Sequence, residues 1–106
     1  MYLIVTRSFP PELGGMQSLM WGLVKEMSKN FMIKVFADYQ ENHKEFDRKE
    51  NFSIERIGGI KFLRKIRKAQ LVNEFLKENK VQGILADHWK SLELIKTDKK
   101  KYCLIH

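Results

Sequence analysis

Two adjacent glycines, Gly14 and Gly15, separate the apolar run Tyr2-Leu3-Ile4-Val5-Thr6 from a segment with apolar residues at Met16, Leu19, Met20, Leu23, Val24 and Met27. The first run reads as a strand. The second, spaced i, i+3, i+4, i+7, reads as a helix with one buried face. Glycines at such a junction leave backbone N–H groups uncovered, and the helix behind them ends in a partial positive charge. Together these groups suit an anion, above all a phosphate; the alternative is a tight turn that only admits the helix. The spacing is not Gly-x-Gly-x-x-Gly, so it does not point to a dinucleotide, although Asp38 follows the second apolar run.

Other residues with chemistry to offer lie at the ends of apolar runs. Arg7 closes the first and can pair with a phosphate or stand solvated. His88 and Trp89 follow Val81-Gln82-Gly83-Ile84-Leu85-Ala86-Asp87. His88 is a candidate for a ligand pocket, or else a core-capping or solvent-facing residue, and Trp89 reads first as packing. His106 follows Tyr102-Cys103-Leu104-Ile105; its imidazole can donate or accept near neutral pH, or fray at a terminus. His43, His88 and His106 share no metal-ligand spacing, so no metal is expected. Cys103 is the only cysteine, which excludes an internal disulfide and fits a reducing cytoplasm; it reads as a small buried hydrophobe.

The elements that must position these residues alternate. Strands are predicted at 2–6, 31–37, 52–57, 81–86 and 101–105, the third alternating apolar and polar as an edge strand does. Residues 38–51 are polar and read as a surface loop, and Gly58-Gly59 breaks the third strand. A helix is predicted over 61–79 with the stripe Phe62, Leu63, Ile66, Ala69, Val72, Phe75 and Leu76, and a short one over 90–96. This alternation implies right-handed crossovers and a Rossmann-like α/β fold: a parallel sheet in the order 3-2-1-4-5, with helices on both faces. In such sheets ligands bind beyond the carboxyl ends of the strands, where the strand order reverses. The rim there is predicted to hold residues 7–15, Asp38, 87–89 and His106.

A chain of 106 residues makes one domain at most, and 43% hydrophobic with 31% charged residues describes a soluble globular protein. No apolar run approaches the ~20 residues of a membrane span, and no secretory leader is evident. The net charge of +7 calls for an anionic partner. Lys61, Arg64, Lys65, Arg67 and Lys68 cluster at the start of the second helix, the wrong sign for its dipole, while Lys96 and 99–101 form a second group. Neither cluster carries the aromatic platform of a nucleic-acid module, so nucleic acid is disfavoured. Beside Phe62, Leu63 and Ile66, the first cluster could hold the protein at an anionic membrane surface, or form a solvated face.

Leu3-Ile4-Val5-Thr6 followed by Phe9-Pro10-Pro11-Glu12-Leu13-Gly14-Gly15-Met16-Gln17 resembles the opening of retaining glycosyltransferases of the GT-B fold, family 4 type. Ile84-Leu85-Ala86-Asp87-His88-Trp89 and Tyr102-Cys103-Leu104-Ile105-His106 are similar to later strands of that family, each leading to a histidine. The resemblance implies sugar transfer with retention from a nucleotide-sugar substrate, with no further cofactor, to a glycan or lipid-linked acceptor. It implies that Gly14, Gly15, Arg7 and His88 contact donor phosphate or acceptor, and that His106 acts at the transferred sugar. Family members carry a second Rossmann-like domain that makes most donor contacts, and nothing in 1–106 corresponds to it. Residues 1–106 are therefore expected to form a single, incomplete, acceptor-side domain, inactive or nearly so alone and cytoplasmic, with peripheral attachment at the inner membrane face as one option and a solvated basic face as the other. With the last strand left as an incompletely covered edge, the chain is expected to self-associate or to be poorly stable. The reading from a different class is a non-enzymatic basic module that binds anionic membrane or nucleic acid through Lys61, Arg64, Lys65, Arg67 and Lys68.

Overall fold

In the computed structural model, which describes residues 1–105, β1 (Tyr2–Thr6) is the middle strand of a parallel sheet. It lies between β2 (Ile33–Asp38) and β4 (Gly83–His88), with β3 (Ser53–Ile57) and β5 (Lys100–Ile105) at the two edges. The order 3-2-1-4-5 is the one the alternation of elements predicts. Ile4 is in register with Val35 and Leu85, and Val5 with Phe36 and Ala86.

Period-two alternation along these strands feeds two cores. Leu3, Val5, Phe36, Ile84 and Ala86 pack under α3 (Lys61–Glu78) with Ala69 and Val72. Ile4, Val35 and Ala37 face α1 (Gly15–Met27) with Met20 and Val24. Both faces of the sheet are therefore covered, as parallel sheets require. Among the described residues no helix is long and apolar enough to cross a membrane.

Four expectations need correction. Residues 38–51 are not all loop, for they contain α2 (His43–Arg48). This helix is too short for apolar periodicity; its single aromatic, Phe46, packs on Phe9 and Trp21. The helix expected over 90–96 is only a 3-10 turn, Trp89–Leu92. Asn73 of α3 donates to the Leu94 carbonyl and accepts from the Lys96 N–H, taking up backbone groups that a longer helix would pair internally. The fourth strand starts at Gly83 and runs on to His88, with Val81 buried just before it. Finally, Phe62 and Leu63 do not join the buried stripe of α3, because its first turn lies at the carboxyl rim of the sheet. Gly59 leads into that turn with φ of +103°, a left-handed backbone that favours glycine.

Candidate functional site: a cationic pocket at the carboxyl rim

Beyond Thr6 the chain leaves β1 and meets the end of β4. The Arg7 N–H donates to Asp87 Oδ2 at 3.1 Å, and the other oxygen of Asp87 accepts from the His88 N–H at 2.8 Å and from Ser91 Oγ at 2.9 Å. Asp87 is 3% exposed, so it forms an interior tie across the point where the strand order reverses. The adjoining strand end is built the same way. Asp38, at the close of β2, is paired through Oδ1 with Lys68 Nζ and through Oδ2 with Arg64 Nε, the latter at 3.1 Å. Lys68 Nζ also donates to the Thr6 carbonyl at 3.1 Å.

Lys68 corrects the sequence expectation most sharply. Its position in the sequence groups it with a solvated or membrane-facing cluster, yet it is 5% exposed. Burial pushes its pKa below the ordinary lysine value of 10.5, with Arg64 adding to that effect and Asp38 and Asp87 opposing it. Its place four residues before Val72 and beside Ala69, both in the buried stripe, was the available signal. The rest of the cluster divides. Arg64 is held by Asp38, Lys65 is paired with Glu93 at 2.8 Å, and Arg67 is exposed.

An open pocket of about 380 Å³ lies above these pairs. Among the described residues its wall contains Arg7, Lys61, Arg64, Lys65, Lys68 and Lys90 and a single carboxylate, Asp38, with Phe62, Ala69 and Ser91 completing it. Among the described residues Arg7, Lys61 and Lys90 have no carboxylate partner. A concave surface lined by one sign of charge concentrates the opposite sign. Lys90 and Ser91 were not singled out in the sequence, since only the 3-10 turn after β4 brings them to α3.

The glycine turn is a separate feature on the same rim. Phe9 is fully buried, edge-on to Phe46 and Phe52, and anchors the segment. A cis peptide bond joins Pro10 and Pro11. Gln40 donates to the Phe9 carbonyl at 2.7 Å and accepts from the Glu12 N–H at 2.6 Å; Arg56 donates to the Pro10 carbonyl at 2.5 Å. The first bond of α1 runs from the Ser18 N–H to the Gly14 carbonyl, so the N–H groups of Gly15, Met16 and Gln17 have no partner among the described residues. A Cβ on Gly15 would meet nothing within 4 Å. A Cβ on Gly14 would collide with Gln17 Oε1, because the Gln17 side chain folds across that residue and donates to the Glu12 carboxylate. The turn is thus open at Gly15 and covered at Gly14, with an acidic side chain beside it.

The predicted site residues are therefore not gathered in one place. Arg7 joins the basic residues of α3, while Gly14 and Gly15 do not line that pocket. His88 takes the Lys90 N–H on Nδ1 at 3.1 Å, so its neutral ring carries the proton on Nε2, and it lies beside the Trp89 ring. His106 lies outside the described residues. Sequence reasoning also missed a clamp in which Arg56 donates twice to Asp47, at 3.2 and 2.8 Å, while His43 Nδ1 bonds the same carboxylate at 3.0 Å. Among the described residues no cluster of His, Cys, Asp or Glu could hold a metal ion. No family model matches the chain, and no curated protein matches it significantly.

Proposed function

We propose that this chain is the acceptor-side, Rossmann-like half of a retaining glycosyltransferase that receives phosphate-bearing ligands at its carboxyl rim. The observation that carries the reading is the excess of cations in a pocket at the reversal of strand order, the place where such sheets bind ligands. The Phe-Pro-Pro…Gly-Gly run lends the family reading, and the open N–H groups of Gly15, Met16 and Gln17 lend a second anion-receptive point on the same rim. In this reading the diphosphate of a nucleotide-sugar meets the start of α1, and a second Rossmann-like domain supplies the remaining donor contacts. The acceptor hydroxyl attacks the anomeric carbon from the face the nucleotide leaves, and the departing phosphate takes up the hydroxyl proton.

Titration of a nucleoside diphosphate, followed through backbone amide resonances, tests the proposal. Shifts are expected at Gly15, Met16 and Gln17, and a Gly15→Val change should abolish them. Resonances unmoved at millimolar ligand would remove the donor from the mechanism.

One observation favours a second reading, attachment to an anionic membrane. Ile60, Phe62 and Leu63 are 69%, 72% and 57% exposed beside the exposed Lys61 and Arg67. Co-sedimentation with phosphatidylglycerol vesicles, lost in an Ile60→Ser, Leu63→Ser, Arg67→Glu variant, would support it. Those positions leave the buried Lys68 in place.

A further inference from the structure

We infer that the pocket between the end of β1, the first turns of α3 and the 3-10 turn after β4 seats a phosphomonoester. If the chain is the transferase half proposed above, on which this assignment of role rests, that group belongs to the acceptor.

Most of the carboxylates around the pocket are already satisfied. Both oxygens of Asp38 are engaged, by Lys68 and Arg64; Glu93 is paired with Lys65; and Asp87 accepts three hydrogen bonds. Arg7, Lys61 and Lys90 therefore face the pocket uncompensated among the described residues, and Arg64 Nη2 has no partner there either. Cations gathered without counter-charge repel one another. A phosphomonoester, with about −1.5 to −2 charges and three acceptor oxygens at neutral pH, relieves that repulsion by charge-assisted hydrogen bonds.

The pocket is also more than an ion perch. Its volume, about 380 Å³, falls among small-molecule sites rather than single-anion sites. Phe62 and Ala69 supply an apolar wall for a carbon skeleton, and Ser91 Oγ, whose hydrogen goes to Asp87, can accept from a hydroxyl on it. The floor is fixed, because Lys68 and Arg64 are held by Asp38, and Asp87 ties Arg7 to the turn that carries Lys90. Sites held by such inner ties lose little freedom on binding. The pocket is distinct from the start of α1, whose glycines are not among its lining residues. A sugar donor's diphosphate and an acceptor's phosphate would thus have separate seats.

A phosphomonoester can arrive on a soluble small molecule or on a lipid headgroup, and two arms separate these. The first titrates glycerol 3-phosphate, with glycerol as the neutral control, into the chain and into an Arg7→Gln, Lys61→Gln, Lys90→Gln variant. None of the three side chains pairs with a buried carboxylate, so the variant should melt as the parent does. The second arm uses vesicles containing phosphatidic acid. Binding of the soluble ester weakened by about tenfold or more in the variant supports a soluble ligand. Binding to phosphatidic acid vesicles alone, also lost in the variant, supports a headgroup. Affinity unchanged in the variant, equal affinity for glycerol, or no binding in either arm overturns the inference. Gly15→Val should leave glycerol 3-phosphate binding intact. A parent chain that binds glycerol 3-phosphate but no nucleoside diphosphate would strike the transferase reading and spare the pocket.

Discussion

Asp38 and Lys68, thirty positions apart, form a buried ion pair that joins the end of β2 to α3. Arg64 shares the carboxylate, and the Thr6 carbonyl takes a further hydrogen bond from the ammonium, so three elements converge on one charge pair. Asp38→Asn removes the carboxylate paired with buried Lys68, leaving only the attraction of Asp87, and is expected to destabilise the fold by about 3–5 kcal/mol. Lys68→Met should be milder, since Asp38 keeps Arg64. Urea denaturation of both single variants and the double should give a coupling term rather than additivity.

The same lysine makes stability depend on pH on the alkaline side. Because burial lowers its folded-state pKa below 10.5, the unfolded chain holds this proton more tightly than the folded one in the window between the two values. Stability from this residue therefore rises as pH climbs through that window. The parent should gain on Lys68→Met as pH climbs toward 10.5 when urea midpoints are compared; a constant difference would contradict the assignment.

At the glycine turn, the two positions should differ. Gly15→Ala places its methyl in open space and is expected to change stability by less than about 0.5 kcal/mol. Gly14→Ala must displace Gln17 and its bond to Glu12, at about 0.5–1.5 kcal/mol. Equal effects in thermal melts would show that Gln17 does not cover Gly14.

Phe9 is buried among Phe46 and Phe52 and anchors the turn that precedes α1. Phe9→Ala should lower stability by about 3–5 kcal/mol, measured by denaturant unfolding. Amide exchange should then quicken at α2, which rests on this cluster through Phe46.

Among the described residues the outer strand β5 pairs with β4 alone, and its Tyr102 and Leu104 are exposed. An apolar edge of this kind invites pairing with another chain. Sedimentation velocity should show concentration-dependent association, reduced by Leu104→Lys; a monomer at all concentrations would count against it.

Strand order, the covering of both sheet faces and the rim that bears the polar residues were all readable from local patterning. Apolar residues repeating every second or every third to fourth position state which face of an element is buried, and alternating elements leave few topologies. α2 escaped this reading because six residues are too few to show a period. Periodicity also could not say which charges go inside. Lys68 is buried because Asp38 and the Thr6 carbonyl, far off in sequence, wait for it; Lys90 lines one pocket with Arg7 and Lys61 because Asp87 ties two strand ends together. A charge's placement depends on partners brought near by folding, since desolvation is tolerable only where a counter-charge or carbonyl already stands. Local sequence carries the faces; the pairing of distant charges, and with it the pocket, arises from the packed sheet.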